Sequence, residues 1–427
     1  MFVTGCLASL QAVIPIPTHL IRTSRAVAVL LLLGGSGARA QLVVTRADAE
    51  RAAFSAGTRV ALARADTAAA LARLRTASLL PNPVLTASYS KAVPTKHVTL
   101  EIPVLDALWS RGARVGQANA AARASRLLFA SERLAAMVEV DTTYTRALAA
   151  NARFRLSRQT SLDADSLRKM TERRRDAGDA SDLDVDLATV VAGQQTNTTA
   201  NDSLSYMGAL LTVQTLMGLP ADSVSITLAD SLVLTALDSA EARRQFRSTT
   251  AVMATPSVMA AEANLEAAEQ AITLQKRVAF PLPALSIGFE QGDDTQPGIL
   301  PLIGFVVPLP FFNRNQGPIA EATAERNRAR VQLGAARLEA RQRLVEGTRE
   351  REVLLVKIAR DRDLVVRADR VAARSLTAYR EGALALPAVL EARRSAREVL
   401  GQYIDDLAAL LTINTELRAL TQTVQVP

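Results

Sequence analysis

Two long stretches free of proline constrain this chain more than any other feature. Residues 113–176 contain none, and residues 317–380 contain none after Pro318, which sits near a helix start, where it is tolerated. Both are dense in Ala, Leu and Arg, residues that favour helix. At about 1.5 Å per residue, each reads as a helix roughly 95 Å long. No globule buries a helix of that length, so each must run along neighbours in a tube or coiled coil. Apolar residues seven apart supply the seam. One line is Val115, Ala122, Phe129 and Ala136, beside Leu127 and Leu134. Another is Ala324, Val331, Leu338 and Val345, then Leu364, Val371 and Ala378. Each helix stops at a glycine turn, Gly178 or Gly382, and a return helix runs to about residue 218 or 421.

The chain also repeats itself. Leu79-Leu80-Pro81-Asn82-Pro83-Val84-Leu85-Thr86 aligns with Ala279-Phe280-Pro281-Leu282-Pro283-Ala284-Leu285-Ser286. Ile102-Pro103 aligns with Val307-Pro308, and Arg174-Arg175-Asp176-Ala177-Gly178 with the stretch from Tyr379 to Ala383. These landmarks keep their order at nearly constant spacing, and the unit is too long for a solenoid repeat. Duplication of a domain is the expected origin. The predicted organisation is a leader over residues 1–40, a first repeat over 41–220, a linker over 221–240 and a second repeat over 241–427. Each repeat opens on a helix, about 46–79 or 241–279, which a Pro-x-Pro stop ends.

Two short strands follow in each repeat. Leu85, Ala87 and Tyr89 alternate with Thr86, Ser88 and Ser90, and Val98, Leu100, Ile102 and Val104 alternate with Thr99 and Glu101. In the second repeat Leu285, Ile287 and Phe289 alternate with Ser286, Gly288 and Glu290, and Ile303, Phe305 and Val307 form the last strand. Period-two alternation marks a strand with one apolar face. Four strands cannot close a membrane barrel alone, since single-chain barrels begin at about eight. Several chains pooling strands could close one. Aromatic residues gather near these strands, as in a barrel's interfacial girdle: Tyr89, Trp109, Phe280, Phe289, Phe305, Phe311 and Phe312. The fold class expected is mainly α with a small β part.

Composition narrows the chemistry. One cysteine, Cys6, excludes a disulfide scaffold, and two histidines, His19 and His97, leave no His cluster for catalysis or metal binding. His97 stands alone in sequence, and a loop or strand-end role is expected of it. Arg22 and Arg25 precede the apolar run Ala26 to Leu33, and Ala38-Arg39-Ala40 precedes Gln41. Basic region, short apolar run and small-x-small triplet are the marks of a secretory leader, with an N-terminal anchor as the competing reading. Net charge falls from +8 to +5 once the three Arg of residues 1–40 are removed. The remaining basic residues are interspersed with acids along helix faces, and no nucleic-acid partner is expected.

The ordered landmarks resemble the TolC family of outer-membrane efflux proteins. They are Leu80-Pro81-Asn82-Pro83, Val307-Pro308-Leu309-Pro310-Phe311-Phe312-Asn313-Arg314-Asn315-Gln316-Gly317, and Tyr379-Arg380-Glu381-Gly382 followed by Pro387-Ala388-Val389-Leu390-Glu391-Ala392. The second piece looks most like the heavy-metal-efflux branch. The resemblance implies a homotrimer whose strands form one barrel in the outer membrane, above a periplasmic α-barrel of long helices. It also implies a periplasmic adaptor (membrane fusion) protein and an inner-membrane pump of RND or ABC type as partners. It brings no cofactor, resident metal or catalytic residue.

The same resemblance points to two sets of residues. The tips Gly178, Asp179, Ala180 and Ser181, and Gly382, Ala383, Leu384 and Ala385, would meet the adaptor. Asp184, Tyr379 and Glu391 would ring the periplasmic constriction. Ala388 and Leu384 stand where an acid and a basic partner can occur in that family, so a salt-bridge lock is not expected from the pattern. Asp182 has the place of a helix-capping acid. Two other readings share the chain's features: an outer-membrane conduit for type I secretion, and a periplasmic coiled-coil structural or adaptor protein without a barrel. The leader itself is directly testable. N-terminal sequencing of protein purified from the cell envelope should begin at Gln41, and a chain still carrying residues before Arg22 would contradict the cleavage.

Overall fold

The computed structural model describes residues 41–220, 225–232, 255–292 and 298–421. The leader, most of the linker and residues 241–254 of an expected helix lie outside them. The elements run β1 (Gln41–Val44), α1 (Arg46–Ala56), α2 (Thr58–Ser78), β2 (Val84–Tyr89), β3 (Lys96–Ile102), α3 (Val104–Asp176) and α4 (Asp182–Leu216). Then come β4 (Ser225–Leu228), α5 (Pro256–Val278), β5 (Ala284–Gln291), β6 (Ile299–Val306), α6 (Gln316–Arg380) and α7 (Leu386–Thr421). The succession helix, strand, strand, long helix, return helix thus occurs twice.

The long helices are present and longer than the proline-free stretches. α3 has 73 residues and α6 has 65. α3 starts nine residues earlier than the sequence suggests, so Val104 is helical and β3 ends at Ile102. Pro103 is the switch: it has no N–H to give to the ladder, and its backbone leaves the extended region. The expected helix over 46–79 is two helices. Gly57 breaks it with an extended backbone, and a Cβ there would lie 2.3 Å from the Ala53 carbonyl oxygen. The last strand also begins earlier, at Ile299 rather than near Ile303.

Within the segment read as a linker, β4 pairs in parallel with β1, Gln41 beside Ser225 through Val44 beside Leu228. This small sheet caps a core built from Val44, Ala49, Val140, Tyr144, Val213 and Ile226. The buried Tyr144 hydroxyl donates toward the Val44 carbonyl at 2.9 Å and the Asp230 carboxylate at 2.8 Å. Arg46 and Thr415 both bond Asp141, which ties the chain's first helix, α3 and α7 together. A second core joins α5, α6 and α7 through Val258, Leu344, Leu354, Leu410 and Leu417.

Packing on α6 differs from the expected seam. The buried positions are Ala322, Ala329, Leu333, Ala340 and Leu344, continuing through Ile358 to Asp361. Val331, Leu338 and Val345, proposed as the seam, are exposed; Val331 is 72% exposed. α6 therefore carries two apolar stripes on opposed faces, and this chain covers one of them.

Asp361 lies on the covered stripe. Burial raises its carboxyl above the ordinary range, and the facing Asp406 carboxyl raises it further. Asp406 itself is held by Lys357 at 2.8 Å and Gln402 at 3.0 Å. A raised carboxyl binds its proton more tightly when folded. Its stabilising effect is full below the ordinary Asp value of about 4 and is lost as pH rises through the folded value. Asp361→Asn should therefore melt above the wild type near about pH 7, with the gap closing toward about pH 4. A pH-independent gap in thermal melting followed by helix dichroism would contradict this account.

Candidate functional site: the sheet faces and the hairpin tips

The four-stranded sheet has the order β2-β3-β5-β6 and is antiparallel throughout. Its register sorts side chains by face, because alternate residues point to opposite sides. One face carries the rows Leu85–Leu100–Ile287–Ile303 and Ala87–Val98–Phe289–Pro301, with Ile102, Leu285 and Phe305 alongside. The other face carries Thr86 and Thr99 beside Gly288, Ser88 and His97 beside Glu290, and Glu101 beside Ser286. β6 is apolar on both sides. Gly288 is required where it stands: a Cβ would lie 2.3 Å from the Val98 carbonyl oxygen.

A sheet of a water-soluble protein turns its apolar face to a core. Here that face is open: Leu85 is 67%, Ile303 75% and Phe305 66% exposed. Both edge strands, β2 and β6, also present unpaired backbone groups, among the described residues. His97 is not alone, as the sequence implied. It sits at the second position of β3, and its Nδ1 lies 3.1 Å from Glu290 Oε1 across the strand pair.

The far ends of the helices hold the two tips. Gly178 has φ +86°; its N–H bonds the Arg175 carbonyl at 2.8 Å, and the Asp179 N–H bonds that of Arg174 at 2.7 Å. Gly382 has φ +75°; its N–H bonds Tyr379 at 3.1 Å, and the Ala383 N–H bonds Ala378 at 2.9 Å. Both are Schellman caps, whose left-handed residue is usually glycine. The sequence reading missed a third, at Gly218, where the same two bonds close α4.

The residues after the tips differ. Ser181 caps α4 and Asp184 returns the bond: the Ser181 N–H donates to Asp184 Oδ2 at 3.2 Å and the Asp184 N–H to Ser181 Oγ at 3.2 Å. Of the two acids, Asp184 rather than Asp182 joins Ser181 in the capping box, while Asp182 opens the helix and reaches Arg175 at 3.9 Å. In the second tip Leu384 packs against a shared cluster that includes Leu167, Ala188, Tyr379, Leu386 and Val389. Tyr379 is 4% exposed, and its hydroxyl lies 3.1 Å from Thr171 Oγ1. Arg174 stacks on the Tyr379 ring, 4.7 Å from its centre, and donates to the Tyr379 carbonyl. Glu391 is exposed on α7 and bonded to Arg394 at 2.7 and 2.9 Å, which holds its carboxyl below the usual range.

The two tips therefore lie side by side, joined by Arg174. Asp184, Tyr379 and Glu391 are each engaged by a different neighbour; among the described residues no hydrogen bond or ion pair links the three. No group of three or more His, Cys, Asp or Glu is placed to hold a metal, among the described residues. Among the described residues no helix is long and apolar enough to cross a membrane. Because Arg174 bridges the tips, Arg174→Ala should speed hydrogen exchange over residues 377–385 by tenfold or so, equal to about 1.4 kcal/mol of local opening. Helix content should stay unchanged. Exchange equal to wild type would show that the bridge does not hold the tips.

Comparison with known proteins agrees with this geometry. Residues 85–219 match the family model of the outer membrane efflux protein. No curated protein sequence matches the chain. The outer membrane protein VceC of Vibrio cholerae superposes with a TM-score of 0.72 at 17% identity, over 88% of this chain and 96% of that one. The CmeC outer membrane channel of Campylobacter jejuni gives 0.70 at 15% identity, over 88% and 85%. The open state of the Neisseria gonorrhoeae MtrE outer membrane channel gives 0.65 at 16% identity, over 88% and 89%. The chain thus has the fold of these outer-membrane proteins, and over residues 85–219 it carries the sequence signature of the outer membrane efflux protein family.

Proposed function

We propose that this protein is the outer-membrane channel of a tripartite efflux system, and that it works as a homotrimer. The observation that carries the reading is the sheet: apolar and uncovered on one face, polar on the other across β2, β3 and β5, and open at both edges. In lipid every backbone polar group needs a partner, so an open sheet must close. Three copies would pool about twelve strands into one barrel, above the minimum of about eight. Its apolar face would meet the outer-membrane lipid, and its polar face would line the lumen. A periplasmic coiled coil without a barrel leaves this face unexplained.

The helices support the same assembly. α3 packs on α4 and α7, and α6 packs on α7, which leaves α4 and α6 as the flanks. Both flanks are apolar and uncovered: Leu183, Val190, Leu204 and Leu211 on α4, and Val331, Leu338 and Val345 on α6. Joining α4 of one copy to α6 of the next closes a periplasmic tube. Domain duplication, the source of the doubled element order, supplies two hairpins per copy.

The tips at Gly178–Ser181 and Gly382–Ala385 would dock the periplasmic adaptor protein, which links the channel to the inner-membrane pump. Glu391, exposed beside them, is the carboxylate best placed to line the entrance, with Asp184 and Tyr379 shaping the constriction from within the helix packing. The stretch Val307 to Gly317 favours the heavy-metal-efflux branch. The work is conduction outward, without covalent chemistry.

Two measurements test this reading. Native mass spectrometry in detergent should report a trimer, and a monomer alone would overturn the assembly. Replacing Gly178 and Gly382 by Val strains both caps, since a β-branched residue at positive φ is disfavoured. That double variant should keep a heat-modifiable trimer on gels and lose export. Unchanged export would remove the tips as docking sites.

A further inference from the structure

We propose that His97 and Glu290 form a titratable selectivity element on the lumenal wall of the barrel, which lowers the channel's cation preference as pH falls. The proposal rests on the barrel reading above, and adds to it the residues that set the charge of the wall. The register places His97 directly opposite Glu290. Both point to the face shared by Thr86, Thr99, Ser88 and Ser286, away from the apolar rows. Their contact is 3.1 Å, yet each side chain keeps close to a third of its surface open, 31% and 29%. The pair is thus close enough for its charges to cancel and open enough for proton exchange.

The surroundings define what the pair does. Ser88 of β2 flanks His97 on one side, and Leu300 of β6 flanks Glu290 on the other; neither titrates in the working range. Along β3, Glu101 lies on the same face four residues away, and Lys96 lies on the opposite face, paired with Tyr89 and Gln291. Lys91 belongs to the loop between β2 and β3, and Asp293 and Asp294 follow β5 outside the described residues. On the described polar face the ionisable side chains are therefore His97, Glu290 and Glu101.

Histidine is the side chain that changes charge between about pH 5 and 8. With a neutral imidazole, each copy presents two lumenal carboxylates, Glu290 and Glu101. With an imidazolium, His97 cancels Glu290 and leaves Glu101 alone. Three copies repeat this around one ring, so protonation halves the net negative charge of the wall. Rings of carboxylates favour cations, and their effect scales with that charge. Nothing moves except the proton, which comes from solvent and returns to it.

Planar-bilayer recording of the purified full chain tests this directly. The reading is the reversal potential across a potassium chloride gradient, at about pH 8 and about pH 5.5, either side of the ordinary His value. The wild type should lose cation preference by twofold or so on acidification, following the halved ring charge. His97→Gln should hold the high-pH preference at both values. His97→Lys should hold the low-pH preference at both. Glu290→Gln should weaken cation preference already at high pH. His97→Asn replaces His97→Gln if the latter fails to insert. An acid step that persists without His97, or an unchanged Glu290→Gln channel, overturns the proposal while leaving the barrel standing. Purified protein that fails to insert into lipid vesicles at all overturns the barrel reading, and this proposal with it.

Discussion

The backbone groups at the open edges of β2 and β6 are the constraint on which the rest of the structure depends. A four-stranded sheet with Leu85, Leu100, Ile287 and Ile303 in one uncovered row is unstable in water by the hydrophobic effect. It is unstable in lipid too, unless its edges are paired. Closure with further copies, as proposed above, would resolve both problems at once: it would place the apolar row against acyl chains and give each edge N–H and C=O a partner. The strands then fix the spacing of the helices that follow, because β3 runs into α3 through Pro103 alone and β6 leads within ten residues to α6.

The helices meet the same demand in a different currency. A helix of 65 residues has too much side surface for one neighbour, and α6 shows how that surface is divided. Its covered stripe mixes small residues, Ala322, Ala329 and Ala340, with the branched Leu333, Leu344 and Ile358, and packs on α5 and α7. Its uncovered stripe uses branched ones, Val331, Leu338 and Val345. At the far end the two hairpins are bound to one another by Arg174 and by the cluster around Tyr379.

Much of this was legible in the residues, for identifiable reasons. Gly178 and Gly382 announce themselves because positive φ excludes most side chains. Strands β2, β3 and β5 follow from strict alternation, and Pro81 and Pro283 mark where helices cannot continue. Two of the misses share a cause, which is that the deciding partner is remote in sequence. β1 and β4 have four residues each and exist only as a pair spanning 184 positions. His97 meets Glu290 across the two halves of the chain. Which α6 stripe this chain covers was not legible, because both faces are apolar and heptad spacing cannot tell which one is covered within the chain. Gly57 was hidden by Ala-rich sequence on both sides, where helix propensity is high over the whole window. Asp184 was the reverse case: Ser181 three residues before it is a local capping signal, and the capping box they form could be read from those two residues alone.

Lipid contact along one face of the sheet is the central claim, and spin-label accessibility measures it most directly. Residues 41–427 contain no cysteine, so single labels can be introduced at will once Cys6 is removed or replaced. Labels at positions 85, 100, 287 and 303, and at 86, 99 and 286, would be read in reconstituted vesicles for collision with oxygen, which concentrates in lipid, and with a water-soluble nickel chelate. The account predicts a strict alternation: the first set reached by oxygen and shielded from nickel, the second set the reverse. Both sets reached equally by the nickel chelate would place the sheet in water and contradict the channel.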